Sequence, residues 1–211
     1  MVFERMITPY NFSRIENKKN EWLVIHYVGA ESTARNNALY FNNAKRDASA
    51  HYFVDKDSIY QVVEEKDASW HVGGAKKYYN SCRNNNSISI EMCCKKDEKG
   101  QWYFDDGTIK NTIWLAKQIM KKNNIPIERV CRHYDVTHKI CPEPFVRNEM
   151  AWQNFLDKLE EKPMETLEQK EEKIKEFYGF DDNTVKYFEF YRYGTTQNGL
   201  IDKLYEKAKN G

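Results

Sequence analysis

WLVIHYV, residues 22–28, is short, apolar on both faces and rich in β-branched and aromatic side chains, the pattern of a strand covered from both sides. His26 lies inside that run, where a polar ring needs a reason. Downstream, residues 33–45 set Ala34, Ala38, Leu39 and Phe41 near one face of a predicted helix. AHYFVDKDSIYQVV, residues 50–63, predicts two strands joined at Lys56, Asp57 and Ser58 as a hairpin. After a loop holding Trp70, His71, Gly73 and Gly74 comes SISIEMCC, residues 87–94, a further strand with Glu91 within it. Residues 108–123 place Ile109, Ile113, Leu115, Ala116, Ile119 and Met120 at helical spacing, and Pro126 marks the stop. Pro142 and Pro144 predict a loop over RHYDVTHKICPEPF, residues 132–145, before helical periodicity resumes over 146–159. Strands alternating with helices as far as residue 159 define an α/β class.

A chain of 211 residues holds one well-packed domain and a small appendage. The boundary is expected where composition changes: 1–159 as the main domain, the charged run 160–175 as a linker, and 176–211 as a small all-α module. That last stretch carries Phe177, Tyr178, Phe180, Tyr187, Phe188, Phe190, Tyr191 and Tyr193, too much apolar surface for so short a segment to bury alone. With 33 basic against 32 acidic residues the formal charge is +1, so no global field draws the chain to nucleic acid or an anionic membrane. The longest apolar stretch, 22–28, falls far short of the roughly 20 residues of a membrane span. Residues 1–20 lack the apolar core and small-residue cleavage site of a secretory leader, so synthesis in the cytoplasm without a signal peptide is expected. Cys82, Cys93, Cys94, Cys131 and Cys141 are odd in number with one adjacent pair, which argues against a disulfide framework.

Three residues have side chains suited to zinc: His26 in the apolar strand, His133 at the start of the proline-rich segment, and Cys141 eight residues later. Three protein ligands leave a fourth tetrahedral position for water, which the metal acidifies towards a pKa of about 7. Spacing alone leaves other readings open. Taken alone, His26 reads as a satisfied core residue before it reads as a ligand, and Cys141 equally as a small buried hydrophobe or a nucleophile with His133 or His138 as its base. Asp135 fits either as a carboxylate orienting a ligand histidine or as a cap on the following turn. His51 reads as structural, and Cys82, Cys93, Cys94 and Cys131 as packing residues or free thiols.

Four ordered blocks, VIHYVG, SAHYFVDKDSIYQVV followed by WHVGG, SISIEMC and RHYDVTHKICP, together resemble the type 2 N-acetylmuramoyl-L-alanine amidase family, which includes phage lysins, autolysins and peptidoglycan-recognition proteins. The resemblance covers about residues 21–159 and implies a central mixed β-sheet flanked by helices. It implies that His26, His133 and Cys141 bind one Zn2+ and that Glu91 is the catalytic carboxylate. Lys139, two residues before the last ligand, takes the family's lysine position as an oxyanion stabiliser, with His138 as the alternative group. Trp70 and His71 match a substrate-side WH motif and are expected in the cleft wall. Some relatives use a tyrosine where this chain has Ala50, so the general-base role falls on Glu91 alone.

The expected function is zinc-dependent hydrolysis of the amide between N-acetylmuramic acid and L-alanine in bacterial peptidoglycan, by a phage-type endolysin acting on the wall after release through a membrane lesion. A host autolysin with the same activity, a non-catalytic peptidoglycan-binding module and a cysteine peptidase built on Cys141 are the competing readings. For the C-terminal module the expectation is a cell-wall ligand, with self-association as the alternative.

Overall fold

The computed structural model describes residues 1–160, 167–181, 184 and 204–208. The chain divides into two compact units, Met1–Glu160 and Glu161–Gly211. The first unit runs β1 (Val2–Arg5), β2 (Phe12–Arg14), β3 (Trp22–Glu31), α1 (Ala34–Asn42), β4 (Tyr52–Val54), β5 (Ser58–Gln61), β6 (Asp67–Ser69), β7 (Ser87–Lys96), β8 (Trp102–Tyr103), α2 (Asp106–Asn123), β9 (Val130–Arg132), α3 (His133–Thr137), α4 (Glu143–Arg147) and α5 (Glu149–Glu160). The main sheet has the order β1-β5-β4-β7-β3-β9, with β8 paired to the end of β7, while β2 and β6 form a small antiparallel ladder. β4 and β5 are antiparallel, and the β4–β7, β7–β3 and β3–β9 neighbours are parallel, so the sheet is mixed as expected.

The long strands β3 and β7 lie side by side at the centre. On one face Leu23, Ile25, Ile88, Ile90 and Met92 join Leu115, Ala116 and Ile119 of α2 and Trp152, Phe155 and Leu159 of α5 in the largest core. Each fully buried Leu or Ile there contributes about 1.5–3 kcal/mol. The helix α2 packs by a stripe of Thr108, Asn111, Thr112, Leu115, Ala116 and Ile119, three or four residues apart. It ends where Asn124 turns left-handed at φ 53° and its N–H returns to the Met120 carbonyl. On the other face, α1 covers Phe53, Tyr60 and Cys93 through Ala34 and Ala38. Its first turn is held by the Thr33 hydroxyl accepting from the Asn36 N–H at 3.2 Å and by Asp55 accepting from the Ala34 N–H at 2.8 Å.

The hairpin expected from residues 50–63 is present, with Tyr52 opposite Gln61 and Val54 opposite Ile59. The segment 132–145 departs from expectation, because it contains two short helices rather than a continuous loop. Pro142 stands at the N-cap of α4, with Pro144 in the first turn, where a missing N–H costs nothing. In the second unit, helix α6 (Leu167–Tyr178) runs through most of the charged stretch read as a linker. Ile174 and Tyr205 are buried there with Tyr178, Phe180 and Leu204 around them. The aromatics Tyr187, Phe188, Phe190, Tyr191 and Tyr193 lie outside the described residues. No helix among the described residues is long and apolar enough to cross a membrane.

Candidate metal centre and its carboxylate

The sheet register assembles the site. His26 on β3 stands beside Glu91 on β7 as its Cα partner. On the other side Ile25 pairs with Arg132, the last residue of β9, so His133 follows at the level of His26. The short helix α3 then closes on itself: His138 takes a left-handed conformation at φ 63° and its N–H returns to the Tyr134 carbonyl. The Tyr134 N–H in turn donates to the Cys141 carbonyl at 2.9 Å, which brings the Cys141 thiol back over the strand ends. One ligand atom each from His26, His133 and Cys141 falls within 4.8 Å of the others, and all three residues are buried.

These donors fit a tetrahedral cation. With zinc–nitrogen bonds of about 2.1 Å and a zinc–sulfur bond of about 2.3 Å, the nitrogen-to-sulfur edge of a tetrahedron is about 3.6 Å. His26 Nδ1 lies 3.6 Å from Cys141 Sγ. His133 Nδ1 is buried with no hydrogen-bond partner, as is Glu91 Oε2, so both aim at something other than protein. Burial, followed by the nearby His133, His71 and Lys139, holds His26 well below the usual histidine range. Burial and then Lys139 hold His133 down at about 4. Both rings are therefore neutral, the form that binds a metal. Burial also pushes the Cys141 thiol far up and the Glu91 carboxyl up to about 8, a cost that a divalent charge in the same pocket would offset.

Glu91 Oε1 lies 3.9 Å from His26 Nδ1, beside the cluster. Lys139 is exposed, and its charge acts on His26, Glu91, His133 and Cys141, which sets it near the cluster. The alternative group, His138, is stacked on Tyr79 with ring centroids 3.4 Å apart and on Tyr134 at 5.2 Å. Its ring braces the loop, and Lys139 is the freer of the two. Asp135 accepts from the Arg132 backbone N–H at 2.8 Å and from its guanidinium, so it caps α3. The buried Arg132 goes on to bind the Phe145 carbonyl and Glu149, tying the ligand loop to α4 and α5.

The two residues of the WH pair have different settings. Trp70 Nε1 donates to Ser13 on β2 at 2.9 Å, so its polar edge is used within the fold. His71 is 8% exposed and hydrogen-bonded to His26, one of the three clustered side chains. His51 is structural: its Nδ1 meets Ser69 and Ser89 and its Nε2 meets the Asp67 carbonyl. Sequence reasoning missed Lys18, whose ammonium reaches the carbonyls of Glu65, Asp67 and Ser87 at 3.1, 2.8 and 2.8 Å and anchors the segment preceding β3. Nothing in the sequence distinguishes it from the neighbouring Lys19.

Two imidazoles, a thiol and a carboxylate converging beside a parallel-centred mixed sheet define an α/β protein with a candidate metal site. Residues 16–144 match the N-acetylmuramoyl-L-alanine amidase family, and the chain belongs to that family. It is 32% identical over 148 residues to the N-acetylmuramoyl-L-alanine amidase CwlL of Bacillus licheniformis, covering 65% of this chain and 40% of that protein. It is 31% identical over 153 residues to the N-acetylmuramoyl-L-alanine amidase BlyA of Bacillus subtilis, covering 66% and 41%. The chain thus spans about two fifths of the length of these relatives. Among solved structures, PlyL superposes with a TM-score of 0.62 at 24% identity, over 76% of this chain and 98% of PlyL. A mutant endolysin from Bacillus subtilis superposes with a TM-score of 0.60 at 26% identity, over 75% and 99%.

Proposed function

We propose that the unit Met1–Glu160 hydrolyses the amide between the lactyl group of N-acetylmuramic acid and L-alanine in bacterial peptidoglycan. The observation that carries this reading is the buried convergence of His26, His133 and Cys141 beside Glu91, in a chain of this family. His26, His133 and Cys141 would hold the zinc ion, whose chemistry when bound is Lewis acidity: it eases deprotonation of water and draws electron density from a carbonyl.

Glu91 has the position and the basicity for proton transfer. Burial raises its carboxyl to about 8 in the metal-free pocket, and a bound cation would draw it back down, so near neutral pH an ionised Glu91 can take a proton from the attacking water and give it up again. The water oxygen bonds to the lactyl carbonyl carbon, and the carbonyl oxygen gains a charge that the nearby Lys139 would stabilise. As the carbon–nitrogen bond breaks, Glu91 returns the proton to the alanine nitrogen, leaving a carboxylate on the sugar and a free amine on the peptide. Wall digested by the protein is expected to show new L-alanine amino termini by mass spectrometry, and the activity to vanish on chelation and return with zinc. New reducing sugars or other peptide termini would sink the reading, and inhibition by thiol alkylation without metal dependence would favour the cysteine peptidase instead.

Relatives named as amidases and an endolysin of similar fold support a lytic role at the cell wall, where an endolysin would meet its substrate. The segment 160–211 would tether the enzyme to wall, raising its local concentration at an insoluble substrate. A chain ending at Leu159 is then expected to keep hydrolysing soluble fragments while binding whole walls more weakly. Unchanged wall binding would remove the tethering role, and a change of association state would reassign the segment to self-association.

A further inference from the structure

A ligand histidine offers one ring nitrogen to a cation, and its other nitrogen decides which one. In this chain that other nitrogen meets a second imidazole. His26 Nε2 lies 3.0 Å from His71 Nδ1, and the two rings are nearly perpendicular at 83°. Two neutral imidazoles at that distance share one proton, and nothing in the pair itself says which ring carries it.

The hydrogen bonds behind His71 settle the matter. Ser87 Oγ lies 2.6 Å from the Arg83 carbonyl oxygen, and since a carbonyl has no proton to give, the serine hydroxyl donates there. With its one proton committed, Ser87 Oγ can only accept from His71 Nε2, 2.9 Å away. His71 therefore carries its proton on Nε2 and presents a lone pair at Nδ1. His26 must then donate from Nε2, which leaves His26 Nδ1 unprotonated and facing Cys141 Sγ. The relay is itself fixed in place: Asn84 Oδ1 accepts from the backbone N–H groups of His71 and Val72 at 3.1 and 2.9 Å, and Ser87 is fully buried.

We infer that His71 is a positioning residue, which, with Ser87 and the Arg83 carbonyl, locks His26 in the tautomer that binds the cation through Nδ1. The inference rests on the proposed metal centre, but its readouts need no substrate. Long-range proton–nitrogen correlation of the metal-free full-length protein is expected to show His26 and His71 both protonated on Nε2. His71→Leu fills the space without an acceptor and is expected to weaken zinc binding about 10- to 100-fold. His71→Asn sets an amide oxygen near the Nδ1 position and is expected to restore most of that affinity, while Ser87→Ala lowers it by less than His71→Leu. A His26 ring protonated on Nδ1 in the parent protein overturns the inference, as does wild-type zinc affinity in folded His71→Leu. If His71→Leu does not fold, the tautomer of the parent protein decides alone. A parent protein without zinc affinity would defeat the metal reading, yet the tautomer would still be read, so the two failures are separable.

Discussion

Where β3 and β7 meet α2 and α5, Leu23, Ile25, Ile88, Ile90 and Met92 are all fully buried in one apolar cluster. Turn the same two strands over, and the alternating positions hold Val24, His26, Ser89, Glu91 and Cys93, with Ser89 as completely enclosed as any leucine behind it. The strands thus bury one wholly apolar face and one on which polar groups alternate with Val24 and Cys93. The apolar face is stabilised by transfer out of water and tolerates exchange of one hydrocarbon for another of equal volume. The polar face has no such latitude, because each group needs its own partner or a bound cation. That contrast separates what folds the sheet from what makes it reactive.

Changes on the two faces should therefore separate activity from stability. The largest effect is expected from Cys141→Ala, which removes the sulfur donor: wall hydrolysis should fall by about 10⁴-fold or more and bound zinc should drop well below one per chain, read by metal analysis. Glu91→Gln should keep zinc yet lose about 10²- to 10⁴-fold in kcat. Its stability should move the other way. The folded state holds the Glu91 carboxyl at about 8 against a reference of 4.5, so it binds the proton more tightly than the unfolded chain does. In metal-free protein the parent should lose stability as pH rises from about 4.5 through about 8, and Glu91→Gln should gain on it over that range in thermal melts. On the apolar face, Ile90→Ala should cost about 2–5 kcal/mol in denaturant unfolding and leave zinc affinity unchanged. Smallest is Lys139→Ala, expected to lower kcat by about 10- to 10²-fold with no change in melting temperature, since the lysine is exposed and its charge is partly screened. Loss of zinc in Ile90→Ala, or a collapse of the fold in Glu91→Gln, would blur the division between the faces.

The long elements were legible because their patterns are long. WLVIHYV and SISIEMCC announce themselves by β-formers in sequence, and the α2 stripe by its spacing. β1, β2, β6 and β9 are three or four residues each, too short for any period to emerge, and are held by pairing to strands that already exist. The helices α3 and α4 escaped because two prolines were read as breakers, when their position at the start of α4 makes them initiators. In the site, the donor residues could be named from four separated blocks, but which blocks touch is a property of the sheet order. His71 shows the limit: nothing in the sequence ties it to His26, and its contacts with Asn84 and Ser87, 13 and 16 residues away, become visible only in the fold.

Pairing His26 with Glu91 across two parallel strands also bears on how the chain avoids misassembly. Side chains alternate along a strand, so sliding β3 past β7 by a single position would drive an imidazole or a carboxylate into the hydrocarbon under α2 and pull an isoleucine out to replace it. The reactive groups thereby act as a spelling check on the sheet: a protein that has its chemistry wrong by one letter has lost its core as well.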